Sequence, residues 1–540
     1  DFSNYRLALS DLNDPFGADS EGEFNLQHNS IEHLSQLAFG FSPQSPLLNA
    51  LSKLSTKGEI EALKLAWGNS TLTDQTPSLK SALPAWIENS KRLFNRLSSA
   101  KKPNPSDSPS KDSDHNLASF LPFSQIKHFK VEGVLSQLER SLSIASPSET
   151  ALSPSPLNAP PKPSSPAPGK AFTGPSPTKD LFSSIPHFKG LSAKFSFTER
   201  NGSTQLTIKD GFFEIPGALE QPLIDIKKLT AFADWSIANG ELDFHLRNTT
   251  LANAHGDASL DLKWFNPDIH HIGLSNLGDI DLEAQVNSLE ATSLYKYLPI
   301  SINANLRNYL KEAIVSGTIQ KGKIKLKGPL ESLPYKTAAQ GQFSISAHLN
   351  RLGFNYFPKT FFKSPALTMT DWPSLSDLQG DLQLKERSLS LSSNFANLGF
   401  DGNAVQLNKL ELKIPDFSEA VLDITSDSKG TLPNYLTIFN RSSLNAKLGR
   451  PLEQSKAKGY ANLNLKLSLP LQQMERSKVQ GNLTFINNDL WLHPDTPVFF
   501  RTRGGLSFTE STLTLQNIQT HTLGGDTKIE GGYRPLPLSS

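Results

Sequence analysis

The sequence predicts a mainly β protein, an elongated antiparallel meander, and three observations carry that expectation. Short runs of alternating apolar and polar residues recur from about residue 183 to 535. Gly, Asn or Pro punctuates those runs at short spacing, as turns between strands require. At 540 residues the chain is also too long for one compact core, so several modules or one elongated body are expected.

The alternation is explicit. It runs through Leu191-Ser-Ala-Lys-Phe-Ser-Phe197, Ala258-Ser-Leu-Asp-Leu-Lys-Trp264 and Gly278-Asp-Ile-Asp-Leu-Glu-Ala-Gln-Val286. It returns in Gly322-Lys-Ile-Lys-Leu-Lys-Gly328, Gly380-Asp-Leu-Gln-Leu-Lys385, Ala461-Asn-Leu-Asn-Leu-Lys-Leu-Ser-Leu469 and Gly481-Asn-Leu-Thr-Phe485. A period of two puts one face in water and hides the other. Roughly two dozen such strands must then bury their apolar faces somewhere. A second sheet, closure of the sheet on itself, or an apolar ligand would each serve, and periodicity does not choose among them.

Composition divides the chain in three. Residues 1–98 mix strands with helices: Thr56 to Trp67 reads as a strand. Ser45-Pro46 opens a helix that carries Leu47, Leu51 and Leu54 and that Gly58 ends. Residues 84–98 read as a second amphipathic helix with Trp86, Leu93, Phe94 and Leu97 on one side. Residues 99–182 are Ser/Pro-rich insertions, expected to be largely disordered, with a strand-like island at 126–134. The stretch 145–179 carries almost no large apolar residue with which to offset the entropy of ordering. Residues 183–540 form the main β body. Two helices interrupt it, each expected to cover an edge of the sheet. One follows Asn303 with an apolar stripe of Leu306, Leu310, Ala313 and Ile314, ending at Gly317; the other spans about 432–441.

Charge and composition exclude several functions. Lys+Arg is 53 and Asp+Glu is 52, a net charge of +1, without the basic excess that a nucleic-acid partner demands. Having no cysteine, the chain has no thiolate metal site or Cys nucleophile, and fits an oxidising compartment. No run reaches the roughly 18 apolar residues of a membrane span. The chain opens at Asp1 in strand-like sequence and reads as a piece of a longer protein.

Signals of catalysis are weak, and the sequence predicts no enzyme, cofactor or metal. Gly317-Thr-Ile-Gln-Lys-Gly-Lys-Ile324 imitates a phosphate-binding loop, but Ile324 replaces the magnesium-holding hydroxyl and the segment enters a strand. His270-His271 reads as a solvated turn, and Asp279, Asp281 and Glu283 as the wet face of a strand rather than glycosidase carboxylates. Neither G-x-S-x-G nor H-E-x-x-H occurs. Lys321, Lys323, Lys325 and Lys327 alternate with Ile324 and Leu326. They would protect an edge, or contact the headgroups of an anionic amphiphile lying beside the apolar floor.

One resemblance adds to these readings. Val286-Asn-Ser-Leu-Glu-Ala-Thr-Ser-Leu-Tyr-Lys-Tyr-Leu-Pro299, the helix Leu306 to Gly317 and Gly322 to Leu330 resemble the YhdP branch of the AsmA-like proteins. Phe354-Asn-Tyr356, Asp371-Trp-Pro373, Leu378-Gln-Gly-Asp-Leu382, Gly481 to Asn488, Gly504 to Phe508 and Gly524-Gly525 continue it in order. Gly22 to Leu26 and Gly58 to Trp67 fit as well; the long Ser/Pro insertions depart from it. The resemblance implies a curved, apolar-lined β-groove in the periplasm, tethered to the bacterial inner membrane by a segment outside this chain. It implies a bridge-like transfer protein whose cargo is glycerophospholipid moving between inner and outer membrane, meeting outer-membrane or periplasmic proteins at its ends. The lining residues are then Leu260, Leu262, Trp264, Ile280, Leu282, Val286, Ile324, Leu326, Leu382, Leu384, Leu463, Leu465, Leu467, Leu483 and Phe485. The competing reading is a non-catalytic scaffold or assembly factor of the envelope, whose apolar face would be closed by protein.

Overall fold

Alternation in the sequence becomes a ladder of neighbouring strands in the computed structural model of the chain. The structure describes residues 5–10, 21–33, 56–68, 128–140, 186–215, 217–269, 276–358, 372–400, 402–442, 445 and 450–534. The strands of the first half are β1 (Tyr5–Leu9), β2 (Gly22–Ser30), β3 (Thr56–Trp67), β4 (Phe129–Arg140), β5 (Phe188–Thr198), β6 (Asn201–Glu214), β7 (Leu223–Ala238), β8 (Glu241–Ala252), β9 (Gly256–Asn266), β10 (Asp279–Glu290) and β11 (Ile314–Pro329). Those of the second are β12 (Gln342–Phe354), β13 (Ser374–Lys385), β14 (Ser388–Phe400), β15 (Asn403–Ile414), β16 (Val421–Thr431), β17 (Lys456–Lys458), β18 (Tyr460–Pro470), β19 (Lys478–Trp491), β20 (Phe499–Thr509), β21 (Leu513–Thr522) and β22 (Gly525–Tyr533).

All pair antiparallel in chain order, from β1–β2 through β21–β22, except that short β17 and long β18 lie end to end beside β19. Among the described residues β1 and β22 do not pair, so the 22-stranded sheet is an open ribbon and not a barrel. The island predicted at 126–134 is a sheet strand: β4 pairs with β3 on one side and β5 on the other. The helices predicted near 45–58 and 84–98, and the stretch 145–179, lie outside the described residues. Gly58 does not end a helix. It sits inside β3 at φ +148, where an added Cβ would stand 2.7 Å from Leu138 Cδ2.

The ribbon has two rims. The upper rim holds tight hairpins at 198–201, 238–241 and 385–388; the lower rim holds the hairpin at 522–525 and the connections 290–314 and 431–456, which contain the longer helices. Near the lower end of strand after strand the backbone turns left-handed, at His28, Gly58, Gln137, Gly190, Asp210 and Asn248 in the first half. The same happens at Lys321, Arg351, Asp377, Asn487, Arg501 and Asn517 in the second. Register slips accompany several of these residues, for example between Leu349 and Leu352 and between Arg503 and Gly505. Each slip is a β-bulge, which bends its strand and steepens the local twist. Aligned across consecutive strands, the bulges fold the lower strip of the ribbon inward and make it a curved groove.

A closed core fills that fold. Leu349, Leu352, Leu378, Leu391, Ala396, Leu407 and Leu410 are buried there with Ala291 and Ile314. A 3₁₀ helix (Ala291–Tyr297) and α1 (Ala304–Ala313) seat on it through Leu294 and Leu310. The Asn303 side chain caps α1 by accepting from the Asn305 amide at 2.8 Å. α1 ends at Ala313, before the expected Gly317, because the β-branched Ile314-Val315 pair begins β11. Its stripe is also rotated from the expected one. Leu306 is exposed, while Arg307 turns inward and donates to the Ile300 and Ile302 carbonyls. The second helix, α2 (Leu432–Arg441), covers the lower rim farther along, with Tyr435 hydroxyl 2.9 Å from Ser428 Oγ and Arg441 3.8 Å over the Phe400 ring.

Core and groove leucines should therefore respond differently to truncation. Leu378→Ala opens a cavity in the closed core and should cost about 2–5 kcal/mol in chemical unfolding. Leu465→Ala removes a half-buried side chain and should cost only about 1 kcal/mol. Equal losses at the two positions would show that the face carrying Leu465 is closed.

Candidate functional site

Above the bulges the apolar face stays on one side of the sheet and runs unbroken from strand to strand. Residues directly opposite in an antiparallel pair share a face. One row passes Leu26, Leu63, Gly133, Phe195, Thr204, Ala233, Leu246, Leu262, Leu282, Leu326 and Phe343, from β2 to β12. Beside it Leu260, Ala284, Ile324, Ile345, Leu384, Leu389 and Ile414 continue to β15. The next row takes Ala347, Leu382, Leu391, Leu412, Ile424, Leu467 and Val479 to β19. Last, Leu463, Leu483, Leu506 and Leu515 reach β21.

The structure places all fifteen predicted lining positions on these rows or directly beside them. Trp264 stands opposite Ile280, Val286 opposite Ala258 and Gly322, Leu465 opposite Gly481, and Phe485 opposite Ala461. All fifteen are half-buried: shielded from full exposure, yet outside the fully buried set. Of them Leu382 touches the closed core. A leucine row packed under a second layer would be buried, as Leu378 is at 1% exposure. The floor is thus an apolar surface that described residues cover only in places, at Leu26, Ala233, Ala347 and Leu391, and leave half-exposed at the fifteen positions between. A cavity of about 580 Å³ opens over β2–β8 on the opposite, polar face of the sheet, where it is lined by Gln27, Lys64, Lys194, Gln205 and Arg247.

Sequence reading missed the groove's aromatic border. Phe24, Leu65, Val131, Phe197, Gly202, Trp235, Phe244 and Trp264 form one cross-strand row just below the upper rim. Phe129 and Phe197 meet edge to face with ring centres 6.4 Å apart, and Phe197 lies 6.5 Å from Trp235. The Trp264 indole N–H donates to the Leu277 carbonyl at 2.8 Å, so its ring is fixed. Alternation in Leu191 to Phe197 already carried the signal for Phe195 and Phe197.

The opposite face is charged and self-paired. Lys325 Nζ reaches Glu283 at 2.8 Å and Lys327 Nζ reaches Asp281 at 2.7 Å, both across the β10–β11 pair. The hydrogen bond to Glu283 holds the Lys325 ammonium above its usual range. Lys64–Glu23 at 2.9 Å and Arg247–Asp234 at 2.6 Å repeat the pattern. Lys323, Lys325 and Lys327 alternate with Ile324 and Leu326 and so stand on this outer face, while Lys321 occupies a left-handed bulge position at φ 50. Asp279, Asp281 and Glu283 stand in line along one strand rather than facing each other across a cleft. Gly317 to Ile324 lies wholly within β11, with no helix behind it to bind phosphate. His270 and His271 lie outside the described residues.

One cluster has the residue types of a catalytic relay. His255 Nδ1 lies 2.9 Å from Ser293 Oγ and 3.3 Å from Glu290 Oε2, with Lys296 Nζ 3.1 Å from Nε2. A relay needs serine and carboxylate on opposite ring nitrogens. Here both share Nδ1 while Nε2 accepts from the ammonium, so the cluster ties the 3₁₀ helix to the β9–β10 edge instead. Among the described residues no three His, Asp or Glu side chains gather as metal ligands. None of the described helices is long and apolar enough to cross a membrane.

Comparison with known proteins agrees with this geometry. The family described as YhdP protein matches residues 179–532. The chain is also similar to the intermembrane phospholipid transporter YhdP of Escherichia coli (strain K12), with 27% identity over 231 residues. That alignment takes in 43% of this chain and 17% of the transporter, so the chain spans a small part of that relative's length. No solved structure matches. The family match takes in every strand from β5 to β21, and the chain belongs to the YhdP family.

Proposed function

We propose that this chain is a section of a conduit for glycerophospholipids between the inner and outer membranes of a bacterial envelope. Acyl chains lie along the groove floor on Leu260, Leu262, Trp264, Ile280, Leu282, Val286, Ile324, Leu326, Leu382, Leu384, Leu463, Leu465, Leu467, Leu483 and Phe485. The observation that carries the reading is the half-buried state of all fifteen, on rows continuous across the sheet. A ligand that is itself apolar supplies the missing layer at little cost in hydrogen bonding, because the lining side chains are hydrocarbon apart from the Trp264 indole N–H, which already donates to the Leu277 carbonyl. The similar Escherichia coli protein, named as an intermembrane phospholipid transporter, supports the same cargo. The chain performs no reaction in this reading. It stands in the periplasm, held to the inner membrane by a segment outside residues 1–540. Proteins of the periplasm or outer membrane meet its ends. Lys323, Lys325 and Lys327 of β11 alternate with the floor residues, and Glu283 and Asp281 engage two of them, which favours edge protection over headgroup contact as their role in this reading.

Leu465 gives the decisive test. A carboxylate in a dry core costs several kcal/mol and unfolds the module, whereas in an open groove it stays hydrated. Leu465→Asp should therefore keep the parent's thermal midpoint within a few degrees while losing phospholipid detected by native mass spectrometry. A photoreactive residue at 465 in the parent should crosslink to phospholipid. Unfolding of Leu465→Asp, with no lipid crosslink in the parent, would replace the conduit by a scaffold closed against protein.

The outer ladder gives the matching control. Lys325→Ala combined with Lys327→Ala should leave the bound phospholipid of the purified chain unchanged. A fall in lipid content at an unchanged thermal midpoint would return the lysine row to the headgroup path.

A further inference from the structure

Glycines on the apolar face have rings lying directly over them. Gly481 stands between Leu465 of β18 and Phe508 of β20 in one cross-strand row. A Cβ at 481 would meet the Phe508 ring at 2.1 Å from Cζ and 2.5 Å from both Cε atoms. Gly22 lies in the same way beneath Trp67, whose ring would stand 2.1 Å from an added Cβ. Gly133, buried, lies beneath Phe195 at 2.7 Å. Gly202 lies beneath Trp235 at 2.3 Å. Each ring rests in the notch left by a missing side chain on the neighbouring strand. An aromatic side chain otherwise stands away from the sheet, and on the inside of a curved groove that direction is the bore.

We propose that Gly22, Gly133, Gly202 and Gly481 set the width of the groove, by letting Trp67, Phe195, Trp235 and Phe508 lie flat against the floor. The assignment rests on the conduit reading and adds the positions that determine what cross-section of lipid the groove admits. At Gly481 the geometry is cleanest, since the three nearest atoms all belong to the outer end of the Phe508 ring, which can swing on its own bonds. Any side chain at 481 displaces that ring toward the space in front of Leu465. A β-branched residue is itself favourable in a strand, so the sheet gains a good strand former while the bore narrows.

The test measures phospholipid co-purifying with the 540-residue chain by native mass spectrometry, beside its thermal midpoint. The parent should carry lipid, Gly481→Val should lose it several-fold at an unchanged midpoint, and Gly481→Val with Phe508→Ala should regain it. A merely structural glycine would not be rescued by shortening the ring above it. A loaded Gly481→Val, or a folded double variant that stays empty, overturns the assignment. If Gly481→Val lowers the midpoint, Phe508→Ala alone decides. A load at or above the parent's supports a ring that obstructs, and a lower load overturns the proposal by making the ring a required contact. A parent without phospholipid defeats the conduit reading and this proposal together, whereas a loaded parent with a loaded Gly481→Val defeats only the proposal.

Discussion

The backbone ladder between sequential strands is the interaction on which everything else in this structure depends. Each strand satisfies its N–H and C=O groups with the strand before and the strand after it, so no second layer is needed to complete the hydrogen bonding. The side chains face the opposite situation. Alternation gives every strand an apolar face, and the ladder alone does nothing to hide it. The protein solves half of that problem with protein: the lower strip, bent at the bulges, closes over Leu349, Leu378, Ala396 and Leu407 with the 3₁₀ helix and α1 in the corner. The other half of the apolar face stays only partly covered by described residues.

The two halves need different residues. At the closed corner the sheet packs leucines with two alanines and Ile314 to full burial, with Arg307 accommodated by two carbonyls. On the open floor the side chains are long aliphatics in register, which remain compatible with water when empty and with hydrocarbon when filled. The outer face carries lysine–carboxylate pairs such as Lys325–Glu283, each worth little as an exposed pair. Their larger effect is to keep a second ribbon from stacking there.

Much of this was readable from residues alone because the strand period is two and the clearest strands of the floor use Leu and Ile. Leu260, Leu262, Ile280, Leu282, Ile324 and Leu326 could be phased from their own neighbours, and β10 and β11 then paired them in register. The strand-like island around 126–134 was legible for the same reason. What stayed hidden was non-local. Several bulges fall on Gly, Asn, Asp or His, which favour a left-handed backbone, but those at Gln137, Lys321, Arg351 and Arg501 fall on residue types without that preference, so nothing local announces them. The aromatic border needs the register of eight strands before Phe24, Phe197, Trp235 and Trp264 appear as one line. Leu306 and Arg307 exchanged their expected roles because the carbonyls that receive Arg307 come from Ile300 and Ile302, in the turn ahead of the helix.

Chain-order pairing has a mechanical meaning as well. With each strand bonded only to its two neighbours, no strand pairing among the described residues ties one end of the ribbon to the other, and its stability is a sum of nearest-neighbour terms as in a stacked-repeat protein. Such a body yields by twisting a little at every joint rather than by breaking at one. It can twist or coil along its length while the file of leucines on one face stays continuous.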